Sequence, residues 1–274
     1  MRTLSAALAL LVASAAQAQA QYWVTYDPAA GTLPQAQCWD LNRSSGQPDP
    51  TLANGELTIG PSTYGGTLFY DRDASIDFSR GAIMEADIFI VNSAYAANPC
   101  GAGQRAGTII GMNDIANRRL NVGIGNGWVF LSTIDNAVVG SPLAPRAQVQ
   151  CQGVWKRFRL EVASGTATLL IDGVPTLSVA VGNTGSASRR VYFGDGSVCA
   201  AGHAKFGLVR FLAQDDCPVD FTRDGFVDFF DYDAYVSCFE GGPCPCDQTP
   251  DFNGDGFADF FDYDEFVAAF ENGC

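Results

Sequence analysis

Apolar and polar residues alternate along most of the chain between residues 21 and 214. Apolar side chains recur at every second position in short segments, which glycine, asparagine, aspartate or proline separates from one another. This period is typical of β-strands that bury one face. The sequences "NGW" at 126–128 and "IDGVP" at 171–175 predict hairpin turns. Eleven predicted strands in fewer than 200 residues favour an antiparallel β-sandwich, so the protein is expected to be mainly β.

The C-terminal part of the chain has a different period, which predicts two helices. Apolar residues are spaced three and four positions apart, as on one helix face, in two segments: Tyr232, Tyr235, Val236 and Phe239, and then Tyr263, Phe266, Val267 and Phe270. Pairs that contain glycine, at 241–242 and 272–273, end the two helices. Several prolines exclude a helix before either segment: Pro218, Pro243, Pro245 and Pro250. A small α-helical module is therefore expected after residue 214.

Residues 1–20 are predicted to be a signal peptide that directs export. Arg2 precedes an apolar run that is too short to span a membrane, and the small residues at 16–20 offer a cleavage site. No later segment of the sequence is apolar for 18 residues, so no membrane span is predicted. We expect a signal peptide at 1–20, a β-sandwich at 21–214 and the helical module at 215–274. The mature protein is expected to be secreted or associated with the cell envelope.

Charge and cysteine content bear on the partners and the compartment. The segment from residue 215 onward has 16 acidic residues and one basic residue, Arg223. So dense a negative charge repels nucleic acid, and no nucleic-acid partner is expected. The nine cysteines are expected to form disulfides outside the cytosol, and their odd number leaves one thiol free or bonded to another chain. Within the module we expect two pairings: Cys217 with Cys274, and Cys238 with Cys244 or Cys246.

A ten-residue segment occurs twice in the module, as "DGFVDFFDYD" from Asp224 and as "DGFADFFDYD" from Asp255. Oxygen-bearing side chains recur at positions 1, 3, 5, 9 and 12 of the surrounding twelve residues, with glycine at position 6. This is the spacing of a calcium-binding loop, in which position 7 contributes its backbone carbonyl. The candidate ligands of two Ca²⁺ ions are Asp220, Thr222, Asp224, Phe226, Asp228 and Asp231 in the first loop, and Asp251, Asn253, Asp255, Phe257, Asp259 and Asp262 in the second. Thr222 makes the first loop less charged, so the first site is expected to be the weaker.

The two loop–helix units, from about Cys217 to Cys274, resemble the type I dockerin module. That family has two calcium loop–helix repeats with aspartate at the twelfth position, at the C-terminus of secreted proteins. The motif is also similar to the C-terminal calcium repeats of secreted planctomycete-type proteins. The resemblance implies docking to a cohesin-like or cell-envelope partner through loop positions 10 and 11.

These two positions depart from the dockerin pattern. They are usually small or polar in dockerins, but four phenylalanines occupy them here: Phe229, Phe230, Phe260 and Phe261. All four are candidates for partner binding. At least half of them are nevertheless expected to pack inside the protein, because large apolar side chains are usually buried.

The predicted strands of residues 21–212 resemble, in their order, a concanavalin A-like or laminin-G-like jelly roll. The segment "WKRFRLEVASGTATLLIDGVP" is similar to a hairpin of that fold, and "VYFGDGSVCAAGHAKFGLVRF" is similar to its closing strand, which returns to the N-terminal edge. The resemblance implies binding of an extracellular glycan or protein. Seven aromatic residues are candidates for stacking on sugar rings: Trp39, Trp128, Trp155, Tyr64, Tyr70, Tyr95 and Tyr192.

Some glycosidases of this fold carry three carboxylates on one strand, spaced Glu-x-Asp-x-x-Glu. Here Glu85 and Asp87 are expected to share a strand face, but Ile90 occupies the third position. His203, the single histidine, is placed in a late loop, and the sequence has no nucleophile motif for it to serve. Two arginine pairs, at 118–119 and 189–190, are interpreted as solvated charges at strand edges.

These patterns favour a secreted, non-catalytic binding or assembly protein. The sandwich is expected to bind an extracellular glycan or protein, and the calcium module to dock it to a partner. The alternative is a polysaccharide-degrading hydrolase or lyase that carries a dockerin. A third possibility is that the module is only a calcium-stabilised cap on the sandwich.

Overall fold

The computed structural model describes residues 21–74, 76–93, 95–96, 105–133, 139–182, 189–214, 217–223, 226–246 and 248–273. The predicted signal peptide, Cys100, Asp224 and Cys274 lie outside the described residues. Within them the chain forms two antiparallel sheets around a common core, followed by two α-helices. The predicted mainly-β sandwich with a small C-terminal helical part is therefore confirmed.

Seventeen strands are present in the described part of the chain: β1 (Gln21–Tyr26), β2 (Asp40–Arg43), β3 (Thr51–Ala53), β4 (Glu56–Ile59), β5 (Leu68–Arg72), β6 (Ala82–Ser93), β7 (Tyr95–Ala96), β8 (Arg105–Ala106), β9 (Thr108–Asn113), β10 (Arg119–Ile124), β11 (Trp128–Ser132), β12 (Arg146–Gln148), β13 (Trp155–Ala163), β14 (Thr166–Ile171), β15 (Val174–Ala180), β16 (Arg190–Asp195) and β17 (Gly202–Gln214). Short β7 and β8 pair only with each other, and the remaining strands form the two large sheets.

The first sheet has eight strands, with β6 and β17 at its centre. Its order is β15-β14-β13-β6-β17-β4-β3. The long strand β17 also pairs with β1, from Gln21 opposite Gln214 to Tyr26 opposite Val209. The closing strand thus returns to the N-terminal strand, as the resemblance to the jelly roll implied. His203 belongs to β17, where it pairs with Asn92, so its expected place in a loop was wrong.

The second sheet has seven strands in the order β12-β11-β10-β9-β16-β5-β2. Alternate residues of both sheets meet in one core; β6, for example, contributes Met84, Ala86, Ile88 and Ile90. Between β14 and β15, Asp172 and Gly173 both have left-handed φ angles, of 51° and 80°, as a tight hairpin turn requires. The apolar positions of the alternating pattern therefore fill the core, and the polar positions cover the outer faces of the sheets.

The C-terminal helices are α1 (Phe229–Phe239) and α2 (Phe260–Asn272). Each begins with a reciprocal cap, in which the aspartate before the helix and the aspartate of its first turn bond to each other's backbone N–H groups. A second core, separate from that of the sandwich, is built from Val219, Phe221, Tyr235, Cys238 and Phe266. The rings of Tyr235 and Phe266 stack with 3.8 Å between their centroids, so the predicted helix faces do pack on each other.

Disulfides are present, as expected for an exported chain, and one of them joins the two cores. Cys38 follows the first strand of the sandwich and bonds to Cys246 between the two helices. Cys238 bonds to Cys244, which is one of the two expected pairings. Cys199 and Cys217 are also disulfide-bonded, whereas buried Cys151 is a free thiol. Neither α-helix in the described part of the chain has the length and apolarity needed to cross a membrane.

Candidate functional site

The outer face of the first sheet carries a lattice of ion pairs centred on Glu85. This carboxylate contacts the guanidinium groups of Arg159 on β13 and Arg210 on β17, and its side chain is only 8% exposed. Burial alone would raise the pKa of Glu85, but the hydrogen bonds and charges of the two arginines outweigh burial and lower that pKa. Glu85 is therefore held ionised.

Asp87 shares this face with Glu85, as predicted, and it too is paired with an arginine. Arg157 donates from Nε and Nη2 to its two carboxylate oxygens, at 2.8 Å each. Ile90, at the third position of the glycosidase pattern, is fully buried in the core and lies on the opposite side of the strand. A retaining glycosidase needs a nucleophile and an acid with a raised pKa. Glu85, whose pKa is lowered, is unsuited to the role of that acid, and Arg157 already occupies both carboxylate oxygens of Asp87.

A cleft of about 520 Å³ opens on the same face beside Trp155. Its lining includes Asp87, Arg157 and Gly207, and the indole of Trp155 is 39% exposed. Gly207 leaves the space open, because a Cβ there would lie 3.2 Å from Cβ of Asp87 and 3.7 Å from the indole. The cleft combines an aromatic surface with polar groups, which is the combination that binds sugar rings.

The charged groups that line the cleft are balanced. Lys156 pairs with Asp172 at 2.8 Å, and Glu56 pairs with Lys205 at 2.7 Å. Together with the Arg157–Asp87 pair, these contacts leave no excess of one sign among the described lining residues. The arrangement favours a neutral, hydroxyl-rich ligand over a strongly charged one.

Four of the other aromatic candidates are placed less favourably. Trp39, Tyr70 and Tyr192 are buried, and Trp128 stacks on Phe130 with 5.8 Å between ring centroids. Tyr64 is exposed, and the side chain of Tyr95 lies outside the described residues.

One exposed tryptophan was missed by the sequence reasoning. Trp23 is 39% exposed, and the guanidinium of Arg210 lies 4.3 Å from its ring centroid. The alternating pattern of "QYWVTY" could have predicted its exposure. Val24 and Tyr26 of the same strand are buried, so Trp23 between them and Gln21 belongs to the opposite, outer face.

The two predicted calcium loops repeat the same backbone hydrogen bonds. The twelfth residue of each loop, Asp231 or Asp262, is fully buried. Asp262 accepts N–H bonds from Asn253 at 3.0 Å and from Asp259 at 2.8 Å, and these bonds lower its pKa. Asp231 accepts the equivalent bonds from Thr222 and Asp228, at 2.8 Å and 2.9 Å. In the described parts of the two loops, the sequence repeat is thus also a repeat of these hydrogen bonds.

The second loop is described in full and is curled around its first residue. Asp251 accepts backbone N–H bonds from Gly254, Asp255 and Gly256, at 2.9–3.1 Å. Gly256 at position 6 has a left-handed φ of 94°, which explains the glycine there. Asp224 and Gly225 of the first loop lie outside the described residues.

The donor chemistry of both loops suits Ca²⁺, because every candidate ligand atom is an oxygen. A carboxylate oxygen that accepts a backbone N–H has a second lone pair to offer to a cation. Among the described residues, however, no three carboxylate, imidazole or thiolate side chains form a group able to hold a metal ion. Calcium binding therefore stays a prediction.

The phenylalanines at loop positions 10 and 11 are exposed, so the expectation that at least half would be packed was wrong. Phe229, Phe230, Phe260 and Phe261 are between 70% and 78% exposed. In α1 the buried face contains Asp231, and the two residues before it point elsewhere around the helix. We call these four residues, with the similarly exposed Phe226 and Phe257, the phenylalanine surface.

The sequence pattern indicated that the two arginine pairs are solvated charges at strand edges, and this was wrong for three of the four residues, whereas Arg189 is exposed. Arg118 forms an ion pair with buried Asp114, and Arg190 pairs with Asp71 at 2.8 Å. Arg119 on β10 and Arg190 on β16 belong to strands inside the second sheet, each with a neighbour on both sides.

No protein-family model matches the chain, and no curated protein is significantly similar to it. Solved structures of similar fold include an apo Crh5 transglycosylase, which is 11% identical. The match covers 72% of this chain and 84% of the transglycosylase chain, with a TM-score of 0.45. A laminarinase from Flavobacterium sp. UMI-01 is 10% identical over 69% of this chain and 98% of its own, with a TM-score of 0.46. The carbohydrate recognition domain of Emp47p is 14% identical over 65% and 89%, with a TM-score of 0.40. At these identities the likeness concerns the fold alone.

Proposed function

We propose that this protein is a secreted, non-catalytic binding and assembly protein. Its sandwich binds an extracellular neutral glycan at the cleft beside Trp155. Its C-terminal module binds two Ca²⁺ ions and docks the protein to a partner through the phenylalanine surface. The observation that carries the proposal is the exposure of the four phenylalanines at equivalent positions of the two loops.

The phenylalanine surface is costly to expose unless a partner covers it. A fully buried phenylalanine side chain contributes about 1.5–3 kcal/mol relative to an exposed one. Soluble proteins rarely leave large apolar patches uncovered, and such patches mark interaction sites. The surrounding segment has 16 carboxylates and one basic residue, so the partner is expected to have an apolar groove with a basic rim.

In this proposal, calcium supplies positive charge to a module that has only one basic residue, Arg223. The two loops would hold one ion each, through the oxygen ligands named above and the carbonyl groups of Phe226 and Phe257. Bound ions would lower the repulsion between neighbouring aspartates and fix the start of each helix. They would thereby fix the orientation of the phenylalanine pairs.

A calorimetric titration of the full chain with Ca²⁺ tests the module. We expect two bound ions in the wild type and none in the double variant Asp224→Ala with Asp255→Ala. Asp172→Ala, in a hairpin turn of the sandwich, is the control, and it should still bind two ions. Binding of two ions by the double variant would show that the loop assignment is wrong.

Binding to soluble neutral polysaccharides, measured by affinity electrophoresis, tests the sandwich. Trp155→Ala should lose binding, because the stacking surface is removed. Trp23→Ala is a matched control, since both tryptophans are 39% exposed on the first sheet. Equal loss in both variants, or in neither, would contradict the assignment of the cleft.

The enzyme alternative is tested on the same polysaccharides. We expect no release of reducing ends or unsaturated products by the wild type. The reason is that arginines neutralise Glu85 and Asp87 on the one strand that matches part of the glycosidase pattern. Catalytic release of products that disappears in Glu85→Gln would establish the hydrolase or lyase reading instead.

A further inference from the structure

A β-bulge in β17 shapes the cleft beside Trp155. The register between β17 and β6 shifts between Phe206 and Val209, so that Gly207 and Leu208 together lie opposite one residue of β6. The neighbours on the other edge of β17 change at the same place, because β4 pairs as far as Phe206 and β1 pairs from Val209 onward. Bulges are frequent next to functional sites, and a glycine within a strand often marks a place that a ligand approaches closely.

The missing side chain of Gly207 leaves a notch between Asp87 and Trp155. The distances given above for a Cβ at this position show that one added carbon atom would occupy the notch. Gly207 has no left-handed φ, so its backbone conformation does not require glycine. The free space between the two neighbouring side chains is therefore what the glycine provides.

Both walls of the notch are accessible to a ligand and are held in place. Trp155 is 39% exposed, and the side chain of Asp87 is 27% exposed. The ring of Phe89 packs against the indole, with 5.7 Å between the ring centroids. Arg157 donates to each carboxylate oxygen of Asp87, and each oxygen has a second lone pair for a ligand hydroxyl. The notch thus has one apolar wall and one wall that accepts hydrogen bonds.

These two walls define the chemical group that fits the notch. The indole favours a C–H group, and the carboxylate favours a hydroxyl donor. The space suits a group of about one carbon atom with its oxygen, since a single Cβ would already touch both walls. The exocyclic hydroxymethyl group of a hexopyranose has this size and chemistry. A pentopyranose has the same ring without that group and would leave the notch empty.

We propose that Gly207 makes the cleft selective for hexopyranoses over pentopyranoses. The hydroxymethyl group of the bound sugar lies in the notch, its CH₂ group contacts the indole of Trp155, and its hydroxyl donates to Asp87. The inference rests on the proposed function, because it concerns the same glycan site. It adds the class of sugar that the site selects and the residue that determines the selection.

Three pairs of methyl pyranosides of matched configuration test the selectivity of the full chain by NMR titration. The pairs are glucoside with xyloside, galactoside with arabinoside, and mannoside with lyxoside, and the two members of each differ only in the hydroxymethyl group. In every pair that binds, we expect the hexoside to bind about tenfold more tightly, as one small group does in a fitted site. Equal affinities within the pairs would overturn the selectivity and leave the glycan site standing. Failure of all six sugars to bind would overturn both.

The variant Gly207→Ala locates the selectivity at the notch, because its methyl group fills the space. It should bind the hexoside about tenfold more weakly than the wild type does, and the pentoside with unchanged affinity. Gly182→Ala is the matched control and should keep the preference for the hexoside. Gly182 has no left-handed φ either, and a Cβ there would meet no atom within 4 Å. A retained preference in Gly207→Ala, or an equal loss for both sugars once its fold is verified by circular dichroism, contradicts the assignment.

A second variant tests the accepting wall without changing the size of the notch. Asp87→Asn replaces a carboxylate oxygen by a neutral amide oxygen, which accepts a weaker hydrogen bond. The preference for the hexoside should fall by about threefold or more, and the affinity for the pentoside should not change. An unchanged preference would show that the hydroxymethyl group does not bond to Asp87.

Discussion

The hydroxyl groups of Tyr232 and Tyr263 share a hydrogen bond between the two C-terminal helices. The two residues are 31 positions apart, which is the offset of the sequence repeat. Equivalent atoms of the two units therefore meet, as an approximate two-fold relationship requires. The phenylalanine pairs of the two loops are presented by one packed unit, whose core is completed by Tyr235 and Phe266.

Substitution of the phenylalanine surface should leave stability nearly unchanged. Replacing Phe229, Phe230, Phe260 and Phe261 together by serine removes exposed side chains, and each change is expected to alter the free energy of unfolding by less than about 0.5 kcal/mol. Phe266→Ala is the control: it empties a buried position and should cost about 3–5 kcal/mol. Chemical denaturation measures both. A large loss in the serine variant would mean that these side chains are structural.

Glu85 should make the sandwich sensitive to acid. Its pKa is lowered in the folded protein, so its contribution to stability is complete above the ordinary value of 4.5 and is lost as the pH falls through the folded pKa. Glu85→Gln should lower the free energy of unfolding at pH 7 by about 3 kcal/mol, since it leaves two arginines without their shared carboxylate. It should also flatten the loss of stability in acid, measured by urea unfolding between pH 3 and pH 7.

Asp87→Asn is the matched control for Glu85. Asp87 also pairs with an arginine, but its side chain is 27% exposed, against 8% for Glu85. Exposed ion pairs contribute little, and we expect a loss of less than about 1 kcal/mol. Equal losses of unfolding free energy in Asp87→Asn and Glu85→Gln would show that burial does not decide how much each ion pair stabilises the protein.

Asp195 should have the opposite pH dependence. It is 1% exposed, and burial raises its pKa to about 7 in spite of hydrogen bonds from Ser62 and Ser197. The protonated form is thus favoured on folding, so stability is complete below the ordinary value of 3.8 and is lost as the pH rises through about 7. Asp195→Asn should remove roughly 2 kcal/mol of the difference in unfolding free energy between pH 5 and pH 8. Parallel pH profiles for variant and wild type would contradict this prediction.

The Cys38–Cys246 disulfide should couple the two cores. It closes a sequence separation of 208 residues, against 6 for Cys238–Cys244. Loop-closure entropy predicts the larger stabilisation for the longer loop, about 5 kcal/mol against about 2 kcal/mol. In the variant Cys38→Ser with Cys246→Ser, calorimetry should show the module melting below the sandwich. The variant Cys238→Ser with Cys244→Ser should keep the two cores linked, and an identical melting profile for both variants would refute the coupling.

Local patterns in the sequence determined the elements of this protein. A period of two residues marked strands such as β6 and β14, and the turn residues Asp172 and Gly173 marked the hairpin between β14 and β15. The helical spacing after Asp231 and Asp262, together with the prolines before the loops, predicted both C-terminal helices. These features depend on the backbone preferences of neighbouring residues, which the sequence displays directly.

Only the tertiary structure decided what the side chains contact. Glu85 meets Arg210 across 125 residues of sequence, and Cys38 meets Cys246 across 208. The exposure of Phe229 and the position of Arg190 on an inner strand were likewise not predictable from composition. The sequence had favoured packed phenylalanines and arginines at strand edges. Contacts between distant residues depend on sheet order and on which helix face is covered, and no local period records either. Both helices and most of the longer strands were therefore predictable, whereas the ion-pair lattice and the phenylalanine surface were not.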